Sequence, residues 1–199
     1  MISLGSSSVV NQMMSGLTLM YARALRPGDY VRIGDTEGTV LELGALSTKV
    51  RTPKNEEVTI PNAVVVGTST MNFTRLHAEH GLVLYTSVTI GYDAPWRQVH
   101  AMLLAAVERT PGLRRDPPPY VRQQALADFY VEYQVNACIE QPAERLPVLS
   151  ALHANIQDLF NEHGVQIMSP HFESQPDRTI VVPKDQWYAP PAAPPGPAR

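Results

Sequence analysis

The first 22 residues of this sequence carry no charge at all; Arg23 is the first. Nor do they form an unbroken apolar run, because Ser6, Ser7, Ser8, Asn11, Gln12 and Ser15 interrupt it. That excludes a secretory signal, which needs a basic start and a compact apolar core. It also excludes a lone lipid-facing span, which takes about 20 predominantly apolar residues. With one cysteine, Cys138, there is no intramolecular disulfide, and the residue reads as a small buried hydrophobe in a strand. A net charge of -3 supplies no general basic field for nucleic acid.

What is present in the uncharged stretch is a periodic pattern. At helical spacing Val9, Val10, Met13, Met14 and Leu17 share one face, and Ser8, Asn11, Gln12 and Ser15 share the other. The pattern predicts an amphipathic helix with an uncharged polar face. Such a helix lies at an interface, packs on protein or lines a water-filled passage in an oligomer, and periodicity alone favours ordinary packing. Gly16 interrupts it where glycine costs about 1 kcal/mol relative to alanine. Close packing or a bend would each explain that cost. A methyl group at this position is expected to be absorbed and to shift any movement of the helix.

The glycines of RPGDYVRIGDTEGTV, Arg26 to Val40, raise the possibility of a phosphate loop. A phosphate loop follows a strand and opens a helix, whose N-terminus and bare amides hold the anion. Here β-branched, alternating TVLEL follows, so the stretch reads strand, tight turn, strand, with Gly28, Gly34 and Gly38 as turn residues. Arg26-Pro27-Gly28 ends the preceding helix. DYVRI, TVLEL, STKVRT and EVTIPN are each short and bounded by turn residues, which predicts a small antiparallel barrel of about fifty residues. Val64 to Val66 extend it as an apolar run, and Thr70 to Phe73 are expected to close the sheet.

Past a polar joint containing His77, Glu79 and His80, strands begin to alternate with helices. Leu82 to Tyr92 reads as a strand. A helix then follows, capped by Asp93, with Pro95 near its first turn and Val99, Leu103 and Val107 inward; Pro111-Gly112 ends it. Phe129 to Ile139 alternates, with Phe129, Val131, Tyr133, Val135, Ala137 and Ile139 on one face. A second helix, about Ala143 to His163, buries Leu149, Leu152, Ile156, Leu159 and Phe160 and stops at Gly164 as a left-handed cap. Val165 to Phe172 and Thr179 to Val182 read as strands, and Tyr188 to Arg199 as an extended Pro- and Ala-rich tail.

Catalysis finds little support. His77 and His80 sit one helical turn apart, but no third ligand follows at a metal-binding spacing. Ser6 to Ser8 lack a Gly-x-Ser-x-Gly elbow, and Asp93, Asp128 and Glu132 read as capping or solvated carboxylates. His163, beside Gly164, favours a helix C-terminus electrostatically. No cofactor and no enzymatic activity are expected.

Taken together, the uncharged helix, Pro27-Gly28-Asp29 with Val31, Gly38-Thr39-Val40, Thr48, Arg51-Thr52, Ile60-Pro61-Asn62 and Asn72-Phe73 resemble the mechanosensitive channel of small conductance (MscS) family. The resemblance spans nearly the whole chain. It implies an α+β fold: residues 1–25 as the lower half of a pore-lining helix, 26–75 as a small Sm-like antiparallel β-barrel, 76–184 as a ferredoxin-like α/β domain of a cytoplasmic vestibule, and 185–199 as a flexible tail. The family's tension-sensing transmembrane helices have no counterpart here, so the sequence is expected to be a fragment. By the same resemblance Leu4 and Ser8 are pore or gate positions and Gly5 and Gly16 hinge positions. Gly28, Asp29, Gly38, Arg51, Pro61, Asn62 and Phe73 are the structural motif. The implied partners are further copies of the chain in a heptamer, membrane lipid through the missing helices, and permeant ions.

A ring-forming Sm-like RNA-binding module is the alternative, since one fold serves many functions. It asks for basic and aromatic residues grouped on one ring face, whereas Arg32, Lys49, Arg51 and Lys54 are interspersed with Glu37, Glu42, Glu56 and Glu57. No nucleic-acid partner is expected.

Overall fold

A computed structural model describes residues 3–168, without the side chains of residues 3–9, 78 and 80. The expected strand at Thr179 to Val182 and the tail lie outside the described residues. The chain divides into two compact units, one comprising Met1–Leu82 with Gln141–Ala143, the other Val83–Glu140 with Glu144–Arg199.

The first unit begins with helix α1, Ser3–Ala22. It ends at Arg23, which has a left-handed backbone (φ 48°), a turn earlier than the proline signal at Pro27 suggests. Strands β1 (Tyr30–Ile33), β2 (Thr36–Leu43), β3 (Ser47–Arg51) and β4 (Glu57–Pro61) follow. Helix α2 (Asn62–Gly67) leads to β5, Thr70–Asn72. The pairings among β1–β4 and between β1 and β5 are antiparallel, and the spatial order is β4-β3-β2-β1-β5.

Two expectations are corrected here. No closed barrel is seen: β5 adds to the free edge of β1 through Val31 opposite Asn72, leaving β4 and β5 as the two edges of an open sheet. Val64 to Val66 are helical, because Asn62 must turn the chain back after β4, and only Val65 of the three is buried. Val64 and Val66 stay about half exposed, an outcome β propensity alone does not foresee.

Alternation builds the core. Val31, Ile33, Val40, Val50, Ile60 and Val65 pack with Leu19 of α1 and Leu25 of the connection. Gly28 (φ 91°) and Gly34 (φ 56°) are turn glycines with positive φ, but Gly38 is not a turn residue. It lies within β2 opposite Val31, and a Cβ there would strike the Arg51 carbonyl group, 2.7 Å from its carbon. Only a hydrogen fits where the end of β3 curls over β2. The β2–β3 register shifts between Val40 and Glu42, a bulge that adds to the same bend.

The second unit, following the short α3 (His77–His80), contains β6 (Leu82–Ile90), α4 (Trp96–Arg109), β7 (Tyr120–Leu126), β8 (Val131–Ile139) and α5 (Arg145–Glu162). Its sheet runs β6-β8-β7. Helix α4 buries Val99, Leu103 and Val107, as the 3.6-residue period requires. Its cap differs from expectation, since Pro95 rather than Asp93 stands at the N-cap position and no side chain caps the helix. In α5 Val148 takes the buried place expected of Leu149. Phe129 falls outside β8 and is 63% exposed. Gly164 (φ 67°) makes the left-handed stop, and His163 Nδ1 lies 2.9 Å from the Leu159 carbonyl oxygen. The α4–α5 pair is clamped by Arg109, whose guanidinium donates to Glu162 Oε1 at 3.1 Å and Oε2 at 3.0 Å. That fork holds the guanidinium pKa above its usual value.

Gly38→Ala is expected to destabilise the first unit by about 1–3 kcal/mol, the usual cost of forcing atoms into a packed site. Urea unfolding of the chain measures this as a lowered midpoint at unchanged slope. An unchanged midpoint would mean that β3 gives way easily at Arg51.

Candidate functional site

Helix α1 meets the sheet of its own unit along Gln12, Ser15, Gly16 and Leu19, spaced i, i+3, i+4 and i+7. Ser15 is 8% exposed and Leu19 6%. The side laid against protein is thus the small and polar one. Its opposite face carries Val10, Met13, Met14, Leu17, Met20 and Tyr21, all between 46% and 96% exposed. Amphipathic surface helices normally bury the large apolar stripe. Here that stripe faces outward, uncharged and left exposed among the described residues.

The reason for the inversion is visible atom by atom. Asn62, 1% exposed, opens α2 and ties off the loop between β2 and β3. Its Nδ2 donates to the carbonyl oxygens of Gly44 (3.0 Å) and Ala45 (3.1 Å), and its Oδ1 accepts from buried Thr48 Oγ1 at 3.0 Å. Its backbone N–H donates to the Leu46 carbonyl at 2.9 Å. The loop so fixed presents the Ala45 carbonyl to α1, and Gly16 is where the helix passes it. A Cβ at Gly16 would overlap the Ala45 oxygen and stand 2.6 Å from Asn62 Nδ2. Gln12, one turn earlier, accepts a hydrogen bond on Oε1 from the Ala63 N–H at 2.8 Å. The first amides of a helix lack intrahelical partners, so Gln12 satisfies one of those in α2 from 51 positions away.

A second knot holds the exit of α1. Asp29 Oδ2 accepts from the Arg26 N–H (2.9 Å) and from Asn72 Nδ2 (2.7 Å). Asn72 Oδ1 in turn accepts from the amides of Thr74 (3.0 Å) and Arg75 (2.9 Å). Gly28 and Asp29 bond β2 through Val40, whose carbonyl accepts from Gly28 N and whose N–H donates to the Asp29 carbonyl, each at 2.8 Å. Beside the second knot lies a cavity of about 410 Å³, walled by Thr18, Leu19, Leu25, Val65 and Asn72 among others.

The structure gathers Gly16 and Asn62 at the first knot and Gly28 and Asp29 at the second. Gly38 stands against the Arg51 backbone, and Pro61 immediately precedes Asn62. Phe73 stacks at 6.0 Å from Tyr30 with the Arg32 guanidinium 5.7 Å over its ring. Leu4, Gly5 and Ser8 lie in α1, and their side chains are outside the described ones. Gln12, Ser15 and Ala63 escaped the sequence reading as a contact; the usable signal was three small or uncharged polar residues, Gln12, Ser15 and Gly16, at one helical spacing. Two of the cations on the sheet are paired locally: Arg32 meets Glu37 at 2.6 Å and Lys49 meets Glu57 at 3.2 Å. His77 and His80 share α3, and among the described residues no group of three His, Cys, Asp or Glu is placed to hold a metal.

This arrangement matches known proteins. Residues 8–75 fit the family model of the mechanosensitive ion channel β-domain, and residues 84–167 that of the MscS C-terminal domain. The chain belongs to the MscS family. Its members are ion channels and not enzymes. An MscS-family protein of Haemophilus influenzae is 26% identical over 83% of the chain and 15% of its own length. An MscS-family protein of Aquifex aeolicus is 26% identical over 85% and 46%. The miniconductance mechanosensitive channel MscM of Escherichia coli is 23% identical over 86% and 15%. The chain therefore spans less than half the length of each of these relatives. The same fold appears in the closed-state Helicobacter pylori MscS crystal structure, with a TM-score of 0.71 at 15% identity over 89% of this chain and 69% of that one. Arabidopsis thaliana MSL1 gives a TM-score of 0.59 at 16% identity, covering 84% and 61%. Among the described residues no helix is long and apolar enough to cross a membrane.

The overlap at Gly16 replaces the expectation that a methyl group would be absorbed there. Gly16→Ala is expected to lift α1 from the sheet, so that its amides exchange hydrogen at least about tenfold faster, some 1.4 kcal/mol of lost protection. Amides of β1 to β3 should keep their wild-type rates. Equal rates throughout α1 would show that Ala45 and Asn62 yield without cost.

Proposed function

We propose that the chain is the lower pore helix and cytoplasmic vestibule of a tension-gated channel that releases ions and small solutes on osmotic downshock. The observation that carries this reading is the inverted α1, fixed on its own sheet by small and polar residues with an uncharged apolar face left over. A contiguous apolar face calls for a membrane or other chains as cover. In the proposed assembly, a heptamer, it meets the cytoplasmic surface of the inner membrane and neighbouring subunits. In the complete protein Leu4 and Ser8 line the constriction, and α1 changes direction at Gly5 and Gly16. The first unit serves as an Sm-like ring module, its bent sheet approaching barrel form. The second is ferredoxin-like, a reading supported by the β6-β8-β7 order and the isolated bridge that sets Ile167 beside Ile90 at the end of β6. Its ring would enclose the vestibule.

Tension favours whichever state occupies more membrane area, a shift between two pre-existing conformations. Membrane lipid acts on helices upstream of this sequence, and α1 transmits their movement. Gln12–Ala63 and Gly16–Ala45 are then the contacts that resist or permit the change. The RNA-binding alternative is disfavoured by the local pairing of Arg32 and Lys49 with carboxylates, which leaves fewer cations on the sheet for phosphates.

Two measurements test the proposal. Light scattering on the purified chain, with and without detergent, should give a closed oligomer; a monomer at every concentration would sink the ring. Patch-clamp of the complete protein should show openings at sub-lytic tension. Gln12→Ala removes one hydrogen bond per subunit, about 0.5–1.5 kcal/mol each. Summed over the subunits of a ring, this should shift the opening tension or the open lifetime, whereas unchanged gating would remove this bond from the mechanism.

A further inference from the structure

His100 lies on α4 in the second unit. Its Nε2 atom is buried and has no hydrogen-bond partner among the described residues. The ring stands between two others: Trp96, one turn earlier, at 5.1 Å and 72°, and Tyr133 of β8 at 5.7 Å and 89°. Both are edge-to-face arrangements, in which a neutral imidazole serves as one more aromatic ring. Tyr133 is 2% exposed and Trp96 44%, so the stack runs from the core of the unit to its surface.

We propose that Trp96, His100 and Tyr133 form a proton-sensitive latch that holds the start of α4 against β8 and loosens on acidification. Protonation would give the imidazole a second N–H donor and a unit charge where no acceptor waits. A buried polar group left unpaired is costly, and a charged one more so. The π face of Trp96 offers limited relief, since the Arg97 guanidinium already sits 4.3 Å from that ring's centroid. The charged groups on the surrounding elements are Asp93 before α4, Arg97, Glu108 and Arg109 on it, Arg122 on β7, Glu132 on β8, and Arg145, Asp158 and Glu162 on α5. The other titratable side chains there are Tyr92 before α4, Tyr120 on β7, Cys138 on β8 and His153 on α5. None of them contributes to the titration of His100, which burial alone pushes below the ordinary histidine value. Burial likewise raises the Tyr133 hydroxyl, with a smaller contribution from Tyr92, so Tyr133 stays neutral across this range. The sign follows: the latched state binds protons less well than the open one. Its stability is complete above about pH 6.5 and declines as pH falls through that value toward the lowered pKa of the latched ring.

The test uses the full chain with Trp187→Phe, so that Trp96 is the one remaining tryptophan. Its fluorescence is followed from about pH 8 to pH 5, the range in which histidine titrates. Hydrogen exchange of amides 98–103, corrected for the intrinsic pH dependence, is measured at both ends. The latch predicts one sigmoidal change in emission with a midpoint below about 6.5, and exchange at least about tenfold faster at the acid end. Both changes should vanish in His100→Phe, which keeps an aromatic ring, and in His100→Gln, which stays neutral throughout and serves if the Phe variant misfolds. A midpoint at or above the ordinary histidine value, an emission change with unaltered exchange, or the same transition in a folded variant would each overturn the proposal.

Discussion

The first unit depends on one close approach: the passage of α1 at Gly16 over the Ala45 carbonyl, which Asn62 holds in place. A helix that crosses a loop this closely must carry hydrogen instead of a side chain at the crossing. The residues beside the crossing must then be small or able to satisfy backbone groups. Ser15 and Gln12 meet that demand, Gln12 by accepting from Ala63 N–H. Once this side is committed to the sheet, helical geometry puts Met13, Met14, Leu17 and Met20 on the other. The exposed apolar stripe is therefore a geometric consequence of the crossing, and the need for an external partner follows from the stripe.

Such an anchor is stiff and short-ranged. Asn62 gathers two carbonyls, one hydroxyl and, through its own N–H, a third carbonyl, so the β2–β3 loop and the start of α2 move together. The Asp29–Asn72 knot does the same for the exit of α1 and β5. Neither knot relies on an ion pair that salt would screen. Both rest on uncharged or singly charged hydrogen bonds at a partly buried junction, where a lost partner costs more than the bond itself contributes. Such contacts break or hold discretely, the behaviour that the proposed transmission of movement by α1 would require.

Where side chains alternate or repeat over a long stretch, the sequence announces its structure. Val99, Leu103 and Val107 of α4 and Val131, Tyr133 and Val135 of β8 fall where their periods put them, because burial of one face decides the element, whereas past Val135 the opposite face of β8 is buried too, Asn136 included. Strand β7 escaped notice for the same reason: YVRQQAL is almost wholly exposed and buries no face to reveal. Val64 to Val66 favour a strand by propensity, yet the turn that Asn62 makes sets them in a helix. The motif glycines were legible as special positions but not in kind, since Gly28 and Gly34 serve positive φ whereas Gly38 and Gly16 make room for a carbonyl. For α1 the inward face could not be read from hydrophobicity at all. It is chosen by an absent side chain and a hydrogen bond to a residue 51 positions away.

The central claim is that in the assembled protein the apolar side of α1 is covered and the small polar side stays on the sheet. Spin labels placed singly at Met13, Met14, Leu17 and Met20, in the complete protein in bilayers with Cys138→Ala, test this through their access to a water-soluble relaxation agent. The account predicts low aqueous access at all four positions, against free access at Lys54 in the β3–β4 turn. High aqueous access along the Met13 to Met20 stripe, equal to that at Lys54, would contradict it.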